Sequence, residues 1–299
     1  MTEILLRAAC FVAIIALGAI LRRAGFFKKE DFYLLSRIVI NITMPAAIMT
    51  NFAGRQLEYS LLSLILIGFF CGVIHMLTAW FLNRSRGASG QAFAVLNASG
   101  VNIGNFVLPF AQGFLGPEGV MTASLFDVGN AFICLGGASS VAGMILEKQK
   151  HFSMKPVFRD LLKSVPLITY VMMCLLSILR IGLPGPVVSL AGIIGSANSF
   201  LAMLMLGIGL QLDIRRFREV LRILLPRYIV SIALAALCYF FLPVPPEYRQ
   251  ALIIPFLGPV ATAAPAFTAR LKGDYELAST VNSFSILFGI LLITAALLI

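Results

Sequence analysis

Asp127 is the acidic residue of this chain that lies deepest in an apolar segment, and an ionisable group at that depth suggests ion or proton chemistry. It follows about ten residues of its segment, which at roughly 1.5 Å per residue would place it near the middle of a bilayer. A charge there costs at least about 2.5–3.5 kcal/mol, so it is a functional candidate by default. The alternative is a structural carboxylate that holds helices together. Asn130, one turn further on the same predicted helix face, would share an ion site with it.

Five more amides lie at a similar depth in other apolar segments: Asn41, Asn102, Asn105, Asn198 and Asn282. For any one of them, hydrogen bonding between helices is a sufficient explanation. Their common depth predicts instead that they line a shared polar cavity, and we predict that Asn41, Asn102, Asn105 and Asn282 contact a substrate there.

Helix-breaking residues interrupt two of the apolar segments. In SGVNIGNFVLPF (residues 99–110), Gly100 and Gly104 disfavour a helix and let another backbone approach. PFLGPVATAAPAFTA (255–269) is broken by prolines that include Pro265. Freed backbone groups within a membrane are tolerated only where protein or a water-filled cavity satisfies them. We therefore predict that the two segments cross at the centre and present helix N-termini to an anion, with Gly104, Thr262 and Pro265 in the site. The alternative is a pair of merely kinked helices.

The composition requires a bilayer as solvent. Of 299 residues, 60% are hydrophobic and 12% are charged, and the mean hydropathy is +0.96. The N-terminus lacks a basic start, so no cleavable signal is expected. The five cysteines lie singly and predict neither a metal site nor disulfides. Breaks in hydropathy predict ten spans, at residues 4–21, 31–52, 60–82, 91–115, 117–146, 161–181, 186–212, 221–242, 249–268 and 275–299.

The distribution of basic residues predicts the orientation. Seventeen Lys and Arg residues fall in the odd-numbered loops and three in the even-numbered loops. By the positive-inside rule the odd loops are cytoplasmic, and both termini of this multi-pass protein lie outside the plasma (inner) membrane. The net charge of +10 reflects this asymmetry and predicts no nucleic-acid partner. Arg7, Arg37 and Arg227 fall within spans but near enough to an end to snorkel, so no basic side chain is expected at the midplane.

Weak internal similarities divide the chain into two halves. ILR at 20–22 recurs at 178–180, GQAF at 90–93 resembles RQAL at 249–252, and TASLFDVGN at 122–130 resembles LASTVNSFS at 277–285. Because each half has five spans, the second must be inverted in the membrane. We predict an all-α polytopic membrane protein with ten transmembrane helices in two inverted five-helix repeats, 1–146 and 161–299, joined by a cytoplasmic loop at 147–160. Such inverted repeats are typical of transporters.

These residues resemble the auxin efflux carrier family, which includes plant auxin carriers and bacterial carriers of malonate- or malate-like acids. The resemblance covers essentially the whole chain and rests on NIGNFVLP (102–109) and APAFTARLKGDYELAS (264–279). It implies crossed broken helices four and nine, and an elevator mechanism in which a core of helices 3–5 and 8–10 slides against a scaffold of helices 1, 2, 6 and 7. It also implies that Asn102 contacts the substrate and that Pro265 is the crossover proline. Val101 stands where plant members have proline, and their long cytoplasmic loop is absent, which indicates a short-loop bacterial type.

The leading expectation is a secondary carrier of a small organic anion, with a proton or a sodium ion on Asp127 and no other cofactor. A related alternative is a sodium-coupled bile-acid-type or arsenite-type transporter, which belongs to the same wider superfamily. A receptor or sensor is a further alternative. No enzyme is expected, because aspartyl chemistry needs two deep carboxylates and His75 lacks a catalytic partner. The expected partners are the anion and the lipid bilayer. The sequence leaves open whether the protein forms a homodimer.

Overall fold

The computed structural model describes residues 2–147 and 154–298, and within these ranges the chain is helical. The helices are α1 (Thr2–Arg23), α2 (Asp31–Phe52), α3 (Tyr59–Leu82), α4 (Gly87–Ser99), α5 (103–114), α6 (Gly116–Ile145), α7 (Met154–Leu161), α8 (Val165–Ile178), α9 (Gly185–Gly209), α10 (Ile214–Phe241), α11 (Pro246–Leu257), α12 (Ala264–Arg270) and α13 (Tyr275–Leu298).

Seven of the described helices are long and apolar enough to cross a membrane: α1, α2, α3, α6, α9, α10 and α13. Helix α8 is apolar but shorter. The predicted fourth and ninth spans are each interrupted, because α4 and α5 are separated by residues 100–102, and α11 and α12 by residues 258–263. The chain is therefore an all-helical, multi-pass protein by length and composition, and the inverted arrangement of ten spans stays a prediction.

The predicted connecting loop at 147–160 is only partly described. Residues 148–153 lie outside the described residues, Glu147 lies in a turn, and residues 154–160 belong to α7, a helix where we predicted a loop. Helix α7 packs against α6 near Gly136, whose φ of 156° marks a kink in that helix.

The helices pack in two groups of neighbours. Helix α9 packs against α1 and α2, and α2 also packs against α8. Helices α3 to α6 and α10 to α13 make most of their remaining contacts with one another. The second group contains both interrupted segments. The resemblance predicts that the first group is a scaffold and the second a mobile core, and this functional division stays a prediction.

Glycines allow two helix pairs to approach at backbone distance. A Cβ added at Gly129 of α6 would lie 1.9 Å from Ile65 O of α3, and one at Gly68 of α3 would lie 2.0 Å from Phe126 O of α6. Gly18 of α1 and Gly207 of α9 are similarly close to the partner backbone. In lipid, no hydrophobic driving force brings helices together. Helices associate there through close packing, which small residues at such interfaces allow.

We expect Gly129→Ala to destabilise the protein by about 1–3 kcal/mol, because the added methyl group can be accommodated only by separating α3 from α6. Thermal unfolding in detergent measures this effect. Gly192→Ala in α9 is the matched control, since a Cβ there meets nothing within 4 Å. Equal unfolding temperatures for the two variants would contradict the close packing of α3 and α6.

Candidate functional site

The two interruptions meet and satisfy each other's backbone groups. Val101 and Val260 form an isolated antiparallel bridge. Asn102 N donates to Pro259 O at 2.9 Å, and Ala261 N donates to Gly100 O at 3.1 Å. The breaks are therefore hydrogen-bonded to one another, which is the arrangement that non-helical backbone requires at membrane depth.

Small residues make this meeting possible. A Cβ on Gly100 would lie 2.7 Å from Cys134 Sγ, and a Cβ on Gly258 would lie 2.6 Å from a side-chain carbon of Val107. Gly104, at the start of α5, faces Met44 of α2 in the same way, at 2.8 Å from its sulfur. Larger residues at these positions would force the two segments apart.

Polar side chains from α6 and α13 hold the bridge from both sides. Asn130 accepts a hydrogen bond from Val101 N at 3.0 Å and donates to Val101 O at 2.9 Å. In the second segment, Val260 N donates to Ser285 Oγ at 3.0 Å, and Asn282 donates to Val260 O at 2.8 Å. Asn130 and Ser285 are the last residues of the similar stretches 122–130 and 277–285. The matching residues Asn130 and Ser285 thus accept from the matching backbone N–H groups of Val101 and Val260, whereas Asn282, which binds Val260 O, stands opposite Asp127 in this alignment.

A cavity of about 170 Å³ adjoins the crossing, and we name it the Asp127 cavity. Asp127 is the only carboxylate among the described residues that line it. Its oxygens accept hydrogen bonds from Asn130 at 2.9 Å and from Tyr170 Oη at 3.2 Å. Both donors are neutral, and no cation lies within 4 Å of the carboxylate in the described chain.

Asn102 and Asn105 line the same cavity and keep polar atoms without partners. Asn102 accepts from Asn105 N at 3.3 Å and so caps α5, but its Nδ2 has no hydrogen-bond partner in the described chain. Asn105 donates to Thr262 Oγ1 at 3.3 Å, and its Oδ1 is likewise unpartnered. The two side chains are only 4% and 3% exposed. Unsatisfied buried amides are rare, and a bound ligand would satisfy both.

A second cavity of about 360 Å³ lies on the other side of Thr262, which lines both cavities. We name it the Asn282 cavity. Its lining includes Pro265, Asn282 and Lys29, so Pro265 and Asn282 are near the crossing but do not line the Asp127 cavity. Lys29 and Tyr275 are at helix ends beside the basic loops, so this cavity lies towards the side that carries those loops.

The structure does not bring Asn41 to either cavity. Its side chain is exposed and donates to Arg37 O of its own helix, at 2.8 Å. The neighbouring residues Ile40 and Met44 line the Asp127 cavity instead. Residues 39–43 form a π-helical turn, which changes the phase of the helix, and a depth count from the sequence does not register such a change. Asn198, at similar depth, is fully buried and accepts from Thr43 at 3.0 Å.

Sequence reasoning missed two residues at the crossing. Arg227 was predicted to snorkel, and this is wrong: it is 1% exposed and bonds to Ala98 O and Gly258 O beside the breaks. The predicted span 221–242 placed it near an end, whereas α10 begins at Ile214 and puts it halfway along. Tyr170 was also missed, although a tyrosine in mid-span is unusual, because tyrosines favour membrane interfaces.

Comparisons with known proteins point to membrane transport. Residues 199–299 match the model of the Sodium Bile acid symporter family. A protein of Methanothermobacter thermautotrophicus (strain Delta H) described as an uncharacterized transporter is 30% identical over 127 residues, which are 41% of this chain and 42% of that protein. The chain thus aligns with less than half the length of this relative. Both similarities support a membrane transporter, the family model supports the wider bile acid and arsenite transporter group, and neither description names an auxin efflux carrier.

Proposed function

We propose that this protein is a secondary carrier that moves a small organic anion together with a cation, with both sites at the crossing of the interrupted segments. The observation that carries the proposal is the direct pairing of the two breaks beside two buried amide side chains, Asn102 and Asn105, each of which keeps one polar atom without a partner in the described chain. Interrupted spans in corresponding positions of two halves are the best sequence pointer to a transport site. The matching roles of Asn130 and Ser285, which accept from the N–H groups of Val101 and Val260, support the inverted repeat that this proposal assumes.

Two groups at the crossing suit an anion. The amino end of α5 carries a partial positive charge, and Asn102 Nδ2 adjoins it as a buried donor with no partner. No lysine or arginine is among the described residues that line the Asp127 cavity. Recognition would therefore rely on partial charges and hydrogen bonds, and the modest affinity that follows suits a carrier that must release its substrate.

Asp127 supplies the physical reason for coupling. An ionised carboxylate and an anionic substrate in one cavity repel each other, and the repulsion is strong where water is scarce. The anion would therefore bind when Asp127 carries a proton or a sodium ion. Each ligand then favours binding of the other, since coupling between two sites is reciprocal.

We propose sodium as the coupling ion, and we propose that the transporter is of the bile-acid or arsenite type. The similarity of residues 199–299 to the sodium–bile acid symporters favours this over the auxin efflux type, which stays the alternative. An elevator motion of the second helix group against the first would expose the crossing to each side in turn. The Asn282 cavity suggests that the conformation described here is open towards the side of the basic loops.

Counterflow in proteoliposomes tests the proposal. Proteoliposomes that contain the purified protein are preloaded with one unlabelled acid from a panel of dicarboxylates, aromatic acids and steroid conjugates. Entry of the same acid in labelled form is then followed with and without sodium and pH gradients. We expect counterflow of at least one organic anion and its accumulation with one of the gradients. Failure to move any anion by a protein that stays folded would contradict the proposal and favour a receptor or sensor.

A further inference from the structure

Arg227 places a positive charge where two helices end inside the protein. One guanidinium nitrogen donates to Ala98 O, and the other donates to Gly258 O at 3.0 Å. Ala98 lies in the last turn of α4, and Gly258 directly follows α11. Both acceptors are therefore carbonyls that a helix leaves unpaired at its carboxyl end, and one side chain of the continuous helix α10 satisfies both ends.

Among the described residues, no carboxylate pairs with this charge. Arg227 takes part in none of the ion pairs among the described residues. The titratable side chains that face it are Cys71 and His75 of α3, Cys134 of α6 and its neighbour Tyr228, and none of them is a carboxylate. Each helix carboxyl end carries roughly half a negative charge, so two such ends together balance about one guanidinium. The two helix ends thus provide charge compensation for the buried guanidinium, although its Nε has no hydrogen-bond partner in the described chain.

We propose that Arg227 is the positioning residue of the crossing, and that its charge holds the carboxyl ends of α4 and α11 together. This clamp keeps the bridge between Val101 and Val260 in register, and with it the amino end of α5. Because Arg227 neutralises the two carboxyl ends, the positive amino end of α5 is left free to attract a ligand. This last step, which links the clamp to the anion, rests on the proposed function.

Hydrogen–deuterium exchange of the purified full chain tests the clamp without any substrate. Peptides that cover residues 98–103 and 258–262 report the amides of Asn102 and Ala261, which make the hydrogen bonds between the breaks. We expect Arg227→Gln to speed exchange in these peptides by at least about tenfold, through local opening. Arg222→Gln removes an exposed arginine five residues earlier in the same helix, which makes no hydrogen bond to either break among the described residues, and should leave this exchange unchanged.

Arg227→Lys separates the role of charge from the role of shape. A lysine keeps the charge, but a buried lysine can lose its proton at ordinary pH, whereas a guanidinium does not. After correction for intrinsic exchange, we expect the lysine variant to protect both breaks at about pH 6 and to lose that protection by about pH 9. The parent protein should stay protected across this range, which controls for titration of His75 and the cysteines.

Two outcomes would overturn the clamp: parent-like exchange at both breaks in Arg227→Gln, or exchange in Arg227→Lys that is independent of pH. If the glutamine variant does not fold, the pH series of the lysine variant decides. The assay needs no transported solute, so a failure of the clamp and a failure of the proposed transport are observed separately. Protected breaks in a protein that moves no anion would contradict the function and leave the clamp standing.

Discussion

Asp127→Asn is expected to abolish ion-driven accumulation of the anion while leaving its counterflow intact. The amide has nearly the shape of the carboxylic acid but has no proton to release at ordinary pH and no negative charge to balance a sodium ion. The variant would therefore resemble the loaded state permanently, and the anion would bind with or without the coupling ion. Coupling between sites typically amounts to about 5–150-fold in affinity, and this dependence on the ion should disappear.

The measurement compares uptake into proteoliposomes with an imposed sodium or proton gradient against counterflow at equal ion concentrations. Asp213→Asn is the matched control, because Asp213 is an exposed carboxylate in the loop before α10 and lines neither the Asp127 nor the Asn282 cavity. It should accumulate the anion as the parent does. Accumulation by Asp127→Asn at the parent's level would show that Asp127 is a structural carboxylate, held by Asn130 and Tyr170.

Asn102→Ala should weaken anion binding by about 10–150-fold, the equivalent of one hydrogen bond to a charged group at about 1.5–3 kcal/mol. The substitution removes the buried Nδ2 donor beside the amino end of α5. It also removes the oxygen that accepts from Asn105 N, so part of the effect will come from a less ordered helix start. The concentration dependence of counterflow gives the change in apparent affinity.

Asn97→Ala is the control that separates binding from stability. Asn97 is also a buried amide of the fourth segment, and it donates to Thr268 of α12 at 3.1 Å, but it does not line the Asp127 cavity. We expect it to lower the unfolding temperature with little change in apparent affinity. If Asn97→Ala and Asn102→Ala weakened anion binding equally, Asn102 would have no special contact with the anion.

The breaks and the deep carboxylate could be predicted from the sequence because their signals are local. Gly100, Pro259 and Pro265 disfavour a continuous helix whatever surrounds them, and Asp127 is unusual in any apolar segment. That Asn130 lies beside Asp127 could be predicted from helix periodicity alone. The roles of Asn282 and Ser285 were within reach through the internal similarity of their stretch to residues 122–130.

Other assignments failed because they depended on helix phase or on the true start of a helix. A π-helical turn at residues 39–43 turned Asn41 away from the cavity, and such turns leave no clear hydropathy signal. Arg227 was assigned to a span end because the basic residues from Arg215 to Arg222 were attributed to a loop. In the structure, several of them belong to α10, and the arginine at its centre is paired with carbonyls far away in sequence.

The amino-acid sequence alone therefore determines that this protein lies in a lipid bilayer, where its apolar segments are, and the two places where a helix is interrupted. These features depend on hydropathy and backbone preference, which act over neighbouring residues. Tertiary packing decided that the two interruptions pair with each other. It also decided that Arg227 binds the carboxyl ends of α4 and α11. The bond from Asn102 N to Pro259 O joins residues more than 150 positions apart. A backbone donor has no local preference among distant acceptors, and only the packed helices bring one within reach.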